Sequence, residues 1–142
     1  MTGGSAPAPD AGPRVAIVAD DLIWATRLAD GVRAAGATPV PVRTAAGLED
    51  ALKAGIYGCV VDLTARGYDG LAALRAAATA GVPAIAVAQH DDNELRRAAR
   101  DAGAGRVFAY RALFEHGERD LGGWVRGLAT TGAGALAGRE ER

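Results

Sequence analysis

The sequence predicts an α/β domain in which helices cover both faces of a parallel sheet. Short apolar runs rich in β-branched residues alternate along the chain with segments of helical periodicity. Two of these runs end in acid: residues 15–19 are followed by Asp20 and Asp21, and residues 59–61 are followed by Asp62. Short connections between such units imply right-handed crossovers and helices on both sheet faces.

Five strands are expected. Residues 15–19 and 59–61 are each too short and too β-branched for a helix and are typical of buried parallel strands. Pro39 and Pro41 favour an edge position for the second strand, because proline has no N–H to donate to a neighbouring strand. The predicted strands are residues 14–19, 38–42, 58–61, 84–88 and 106–110.

Five helices are expected between and after these strands. Gly36 ends the first helix, and either Asp91 or Asp92 caps the fourth. The last helix is indicated by apolar residues at i, i+3, i+4 and i+7, although Gly122 and Gly123 weaken it. The predicted helices are residues 22–35, 48–54, 71–79, 94–102 and a last one containing Leu121, Trp124, Val125 and Leu128.

Length and composition fit one cytoplasmic domain. The chain has 142 residues and a formal net charge of −1, which gives no global attraction for nucleic acid or an anionic membrane. Cys59 is the single cysteine, in an expected buried strand, so no intrachain disulfide forms and a reducing compartment suits the chain. No apolar stretch approaches the roughly 20 residues of a membrane span. We expect a disordered leader at residues 1–13, a domain at 14–129 and a flexible tail at 130–142.

The acidic strand ends are the main functional signal. Neighbouring parallel strands end at the same edge of the sheet, where ligands bind in open α/β folds. Asp20, Asp21 and Asp62 would therefore repel one another there, and a hard cation such as Mg²⁺ would relieve that repulsion. A competing interpretation is that Asp20-Asp21 simply caps the first helix, whose dipole favours acid at its start.

Four segments in order resemble the receiver domains of bacterial two-component response regulators, over about residues 14–128. Asp20-Asp21 is similar to the acidic pair after the first strand, and Asp62-Leu-Thr-Ala-Arg-Gly-Tyr-Asp-Gly70 is similar to the phosphoacceptor and its loop. Residues 82–92 and 99–104 look like the fourth strand with its exit and the end of the fourth helix. The resemblance implies a CheY-like, flavodoxin-like (βα)5 fold with strand order 2-1-3-4-5.

The resemblance also implies a chemistry. A histidine kinase would transfer a phosphoryl group to Asp62, and Mg²⁺ would bind weakly to Asp20, Asp21, Asp62 and the carbonyl of Thr64.

The phosphate-sensing half of the family pattern is degraded in this chain. The family's Ser/Thr position falls on Ala88, and its lysine position falls on Tyr110 or, with a one-residue shift, on Arg111. The shifted alignment places Phe108 at the aromatic switch position. Arg66 stands where the family usually has proline. These departures indicate an atypical receiver, or pseudo-receiver.

The function predicted from this resemblance is a stand-alone module of bacterial two-component signal transduction that works by protein–protein interaction. Its partner would be a histidine kinase or a downstream protein of the phosphorelay, and the resemblance also allows a homodimer through the last helices. No nucleophile–base pair or nucleotide loop favours an enzyme. The alternative is a small-molecule sensor that is not phosphorylated, with the apolar residues Leu22, Ile23 and Trp24 at its mouth. Arg96, Arg97 and Arg100 are expected to form a solvated face of the fourth helix, and the resemblance would place them on the partner-binding side, with a role in docking as the alternative.

Overall fold

The computed structural model describes the backbone of residues 12–140 and the side chains of residues 12–128. Strands and helices alternate throughout this part of the chain. Most of the leader expected at residues 1–13 lies outside it. The elements are β1 Arg14–Val18, α1 Leu22–Ala34, β2 Thr38–Val42, α2 Ala45–Ala54, β3 Gly58–Asp62, α3 Gly70–Thr79, β4 Ala84–Ala88, α4 Asn93–Asp101, β5 Arg106–Ala109 and α5 Tyr110–Glu140.

The five strands form one parallel sheet in the order β2-β1-β3-β4-β5, which confirms the predicted fold class. β2 is an edge strand that carries Pro39 and Pro41, as its sequence predicts. In the sheet β1 lies between β2 and β3, with Val18 beside Val61. This register brings the segments after β1 and β3 to the same edge of the sheet.

Both faces of the sheet are buried, which explains why its strands read as continuous apolar runs. Alternate residues of each strand point to opposite faces. On β1, Val15 and Ile17 pack towards α1 and α5, whereas Ala16 and Val18 pack towards α2, α3 and α4.

Side chains cap the starts of four helices. The capping residues accept a hydrogen bond from the backbone N–H three residues further on, which satisfies a donor that the helix leaves free. At α4 the cap is Asp92, whose Oδ1 accepts from the N–H of Leu95 at 3.1 Å, so Asp91 is not the cap. The other caps are Asp21 at α1, Thr44 at α2 and Asp69 at α3.

The junction between β5 and α5 differs from the prediction. We expect a strand through Tyr110, but β5 ends at Ala109 and Tyr110 is the first residue of α5. α5 is kinked at His116, where φ is −132° and ψ is 29°. Its backbone is helical as far as Glu140, through most of the segment expected to be a flexible tail. None of the helices within residues 12–140 is both long and apolar enough to cross a membrane.

Candidate functional site

Asp62 is the centre of the candidate site. It ends β3, and its side chain is fully buried, at 0% exposure. Its Oδ1 accepts three hydrogen bonds, from the backbone N–H of Thr64 at 3.0 Å, from the Thr64 hydroxyl at 2.9 Å and from the hydroxyl of Tyr110. Its Oδ2 is buried and has no hydrogen-bond partner among the described residues. Among the described residues, only Oδ1 of the Asp62 carboxyl group therefore makes hydrogen bonds.

Tyr110 covers this carboxyl group from the start of α5. Its hydroxyl lies 2.6 Å from Thr64 Oγ1, so that Asp62, Thr64 and Tyr110 form a close triangle of oxygens. Its ring packs on Trp24 of α1, with ring centroids 4.7 Å apart and an interplanar angle of 56°. Burial and the hydrogen bond to Asp62 raise the pKa of Tyr110, since both favour the neutral phenol.

Of the two residues considered for the lysine position, it is Tyr110 that reaches Asp62. Arg111 is exposed, and its Nε lies 3.4 Å from Oε2 of Glu115 on the same helix. The group that meets the buried carboxylate is therefore a neutral hydroxyl instead of a cation.

Asp20 and Asp21 point in different directions. Asp21 Oδ1 accepts from the N–H of Trp24 at 3.0 Å, so the helix-cap interpretation holds for this residue. Asp20 Oδ2 instead accepts from the backbone N–H groups of Arg66 and Gly67, at 2.9 and 2.7 Å. Asp20 thereby fixes the loop between β3 and α3. A proline at position 66 would have no N–H to donate, so Arg66 permits a bond that a proline there would forbid.

Tyr68 closes the base of the site, a role that the sequence reasoning missed. Its hydroxyl lies 2.7 Å from the carbonyl oxygen of Asp62 and also contacts the carbonyl oxygen of Val18. It can therefore donate to the ends of β1 and β3, one at a time. Burial and the nearby charges of Asp62 and Asp20 raise the pKa of Tyr68. Its position in the loop after Asp62 was the available signal, since a tyrosine six residues after a buried strand end can fold back over it.

This arrangement does not fit Mg²⁺ as it stands. In the described part of the chain no three His, Cys, Asp or Glu side chains form a group that could hold a metal ion. Asp20 and Asp21 direct carboxylate oxygens to backbone N–H groups, and Oδ1 of Asp62 is occupied by Thr64 and Tyr110. Thr64 bonds Asp62 through its N–H and hydroxyl, whereas the ligand predicted from the sequence is its carbonyl oxygen. The predicted metal site at Asp20, Asp21, Asp62 and Thr64 thus stays a prediction that requires these bonds to rearrange.

Response regulators and receiver domains are among the solved structures similar to this chain. A response regulator from Thermotoga maritima has a TM-score of 0.69 at 13% identity, over 82% of this chain and 98% of that one. The receiver domain of a sensor histidine kinase from Pseudomonas aeruginosa, described with a magnesium ion coordinated in its active-site cleft, has a TM-score of 0.64 at 20% identity, over 80% and 99% of the two chains. A CheY-like receiver domain protein from Methanospirillum hungatei has a TM-score of 0.63 at 21% identity, over 78% and 94%. No family model and no curated protein matches the sequence.

The chain has the receiver-domain fold. Within that fold, the remaining predicted switch positions are closed to solvent. Ala88 ends β4 at 0% exposure and offers no hydroxyl. Phe108 is buried among the residues that face α1 and α5, and the guanidinium of Arg106 lies 4.7 Å from its ring centroid. Neither residue contributes a polar group to the surroundings of Asp62.

On the α4 side of the receiver fold, the expectation of a solvated arginine face is wrong for Arg96. Its Nη2 donates to the carbonyl oxygen of Val107 at 3.1 Å, and its Nη1 is buried. Arg96 therefore ties α4 to β5, whereas Arg97 and Arg100 are exposed.

The residues expected to form an apolar mouth, Leu22, Ile23 and Trp24, are only partly exposed as predicted. Leu22 and Ile23 are each 68% exposed at the start of α1, but Trp24 is half-buried beneath Tyr110. The exposed ring of Phe114 lies on the same side, with the Arg27 guanidinium 4.6 Å from its centroid.

Proposed function

We propose that this protein is a receiver-type module of two-component signal transduction that acts by binding other proteins and has no enzymatic activity of its own. The observation that carries the proposal is the position of Asp62. Among the described residues it is the one buried carboxylate, and it stands at the carboxyl end of a central strand in a receiver fold. A buried charge without a cationic partner is costly, so such a residue at a ligand-binding edge indicates a functional role.

The chemistry proposed for Asp62 is phosphoryl acceptance. A carboxylate oxygen of Asp62 attacks phosphorus of a phosphohistidine on a kinase, and an O–P bond forms as the P–N bond breaks. The imidazole leaves with the electron pair and takes up a proton from water. The product is an acyl phosphate that adds about two negative charges to the site. We expect any Mg²⁺ binding to be weak, because Asp20 and Asp62 would have to exchange existing hydrogen bonds for the cation.

The response to phosphorylation is proposed to be weak. A phosphoryl group shifts a conformational equilibrium only through contacts that differ between the two states. Ala88 provides no hydroxyl, and Tyr110 provides no positive charge to attract the new anion. The surface used for partners would then be held largely in one state. Exposed Leu22, Ile23 and Phe114 are the apolar residues available on the α1–α5 side.

The partner proposed is a histidine kinase or a downstream signalling protein, and the location proposed for this protein is the cytoplasm. Self-association through the last helices stays a prediction.

A small-molecule sensor is the second candidate, and one observation favours it, although at a different place from the predicted mouth at Leu22, Ile23 and Trp24. A groove of about 500 Å³ lies between α2 and α3, lined by Val18, Leu48, Leu52 and Tyr68 among others. This volume is within the range of ligand pockets. Because Tyr68 also contacts the backbone of Asp62, a ligand in the groove would reach the candidate site through that side chain.

The test of the leading proposal is direct phosphorylation. The protein is incubated with acetyl phosphate and Mg²⁺, and its intact mass is followed over hours, with Asp62→Asn as the matched control. We expect slow, partial gain of one phosphoryl group in the parent and none in the control. Equal labelling of both proteins would show that another residue is the acceptor. If neither the parent nor a Tyr110→Ala variant, which lacks the side chain covering Asp62, is labelled, phosphoryl acceptance is refuted.

A further inference from the structure

We propose that Tyr110 is an internal cap on Asp62, so that the carboxyl group reacts only when the Tyr110 side chain moves away. This inference rests on the proposed function, because it concerns access to the proposed phosphoacceptor. It assigns to Tyr110 an active role at the position where a receiver usually has lysine.

The hydrogen bonds of the carboxyl group support a cap. Oδ1 of Asp62 accepts one hydrogen bond from Tyr110 and two from Thr64, so this oxygen accepts no further bond. Oδ2 has no partner but is buried, and no part of Asp62 is exposed. An incoming phosphorus atom must come into direct contact with one of these two oxygens. Neither is open to it in this conformation.

The packing of Tyr110 explains why the cap stays closed. Its ring lies against Trp24, and the Arg27 guanidinium lies 5.9 Å from the centroid of the Trp24 ring on α1. Tyr110 also begins α5, so its backbone is fixed by that helix. Trp24 is therefore a positioning residue: it touches Tyr110 and holds its hydroxyl over Asp62.

The cap also accounts for the poor fit of the predicted metal site. The Tyr110 hydroxyl gives Oδ1 the electropositive partner that a cation would otherwise supply. A neutral donor at this place stabilises the buried carboxylate without any diffusible ion.

The experiment compares the parent with Tyr110→Phe and Tyr110→Ala, and uses Tyr57→Phe at an exposed tyrosine as the matched control. The first measurement is modification of carboxyl groups by a water-soluble carbodiimide and an amine, located by peptide mass mapping. The second is the rate of phosphoryl gain from acetyl phosphate with Mg²⁺. In that reaction an Asp62 oxygen forms a bond to phosphorus, and acetate leaves with the electrons of the broken P–O bond.

We expect carbodiimide to modify Asp62 slowly, and at the same rate, in the parent and in Tyr57→Phe. In Tyr110→Ala its modification and its phosphorylation should each rise by about tenfold or more, which corresponds to about 1.4 kcal/mol less stability of the closed state. Tyr110→Phe should give an intermediate increase, because it keeps the ring and loses only the hydroxyl. The exposed carboxyl groups of Asp69 and Asp91 should react equally in all four proteins.

The other possible results of these two measurements distinguish the cap from the proposed function. Equal carbodiimide modification of Asp62 in the parent and both Tyr110 variants would overturn the cap. A rise in carbodiimide modification without phosphorylation of any variant would support the cap and refute phosphoryl acceptance by Asp62. Phosphorylation of the parent as fast as the variants would support the function and overturn the cap. If Tyr110→Ala fails to fold, Tyr110→Phe and Trp24→Leu carry the same comparison.

Discussion

Replacing Tyr110 with phenylalanine removes one hydroxyl group and should reveal how strongly the tyrosine is coupled to Asp62 in the folded protein. The hydroxyl donates to Oδ1 of a fully buried carboxylate, and Thr64 supplies the only other donors to that oxygen among the described residues. In Tyr110→Phe the carboxylate keeps those donors but loses the one that covers it.

The magnitude follows from the kind of hydrogen bond. A bond to a charged group contributes about 1.5–3 kcal/mol net, against about 0.5–1.5 kcal/mol for a neutral one. Tyr110 is only half-buried, so water partly replaces its hydroxyl in the variant, and we expect a loss of about 1–2 kcal/mol in the free energy of unfolding. In the background of Asp62→Asn the same substitution should cost about 1 kcal/mol less, because the amide oxygen accepts as a neutral group. Asp62→Asn by itself should be neutral or stabilising without divalent cations, since it removes a buried charge that has no ion pair.

The assay is urea unfolding of the parent, both single variants and the double variant, followed by circular dichroism in metal-free buffer at neutral pH. Tyr57→Phe is the control and should stay within about 0.5 kcal/mol of the parent, as surface substitutions do. The reasoning fails if Tyr110→Phe also stays within that range, or if its cost is the same with Asp62 and with asparagine at that position.

Three further outcomes are expected. Burial raises the pKa of the Cys59 thiol from 9.0 to about 12 in the folded protein. As the pH rises, the thiol therefore ionises in the unfolded chain before it does so in the folded protein. The stability that the buried neutral thiol contributes is complete below pH 9 and is lost as the pH rises to about 12. Unfolding midpoints measured across this range should decline less steeply in Cys59→Ala, and parallel declines would contradict the assignment. Arg66→Pro should lower the free energy of unfolding by about 1–2 kcal/mol more than Arg66→Ala, because only proline removes the N–H that Asp20 accepts; equal thermal melts would show that this bond is unimportant. Gly58→Ala should cost about 1–3 kcal/mol in urea unfolding, because its Cβ would lie 2.6 Å from Leu128 Cδ1, and an unchanged midpoint would mean that α5 adjusts freely.

The strands illustrate how far local pattern determines this protein. β2 and β4 have the bounds that the sequence predicts. β4 is a fully buried run of alanine and β-branched residues that starts directly after Pro83 and ends before the polar residue Gln89. The junction of β5 and α5 was mispredicted for a related reason. Phe108 and Tyr110 alternate as in a strand, and the glycines of the following segment weaken its helical pattern. Tertiary packing of Tyr110 against Trp24 accompanies an earlier start of the helix.

The sequence by itself determined that acidic residues stand at the ends of two neighbouring strands, because strand ends and short connections are local features. Only the tertiary structure decided what each carboxylate binds. Asp21 bonds three residues ahead, within reach of local reasoning, but Asp20 bonds a loop 46 residues away. Tyr110 reaches Asp62 across 48 residues. Such partners depend on where two elements pack and which way a side chain turns, and neither is encoded in spacing along the chain.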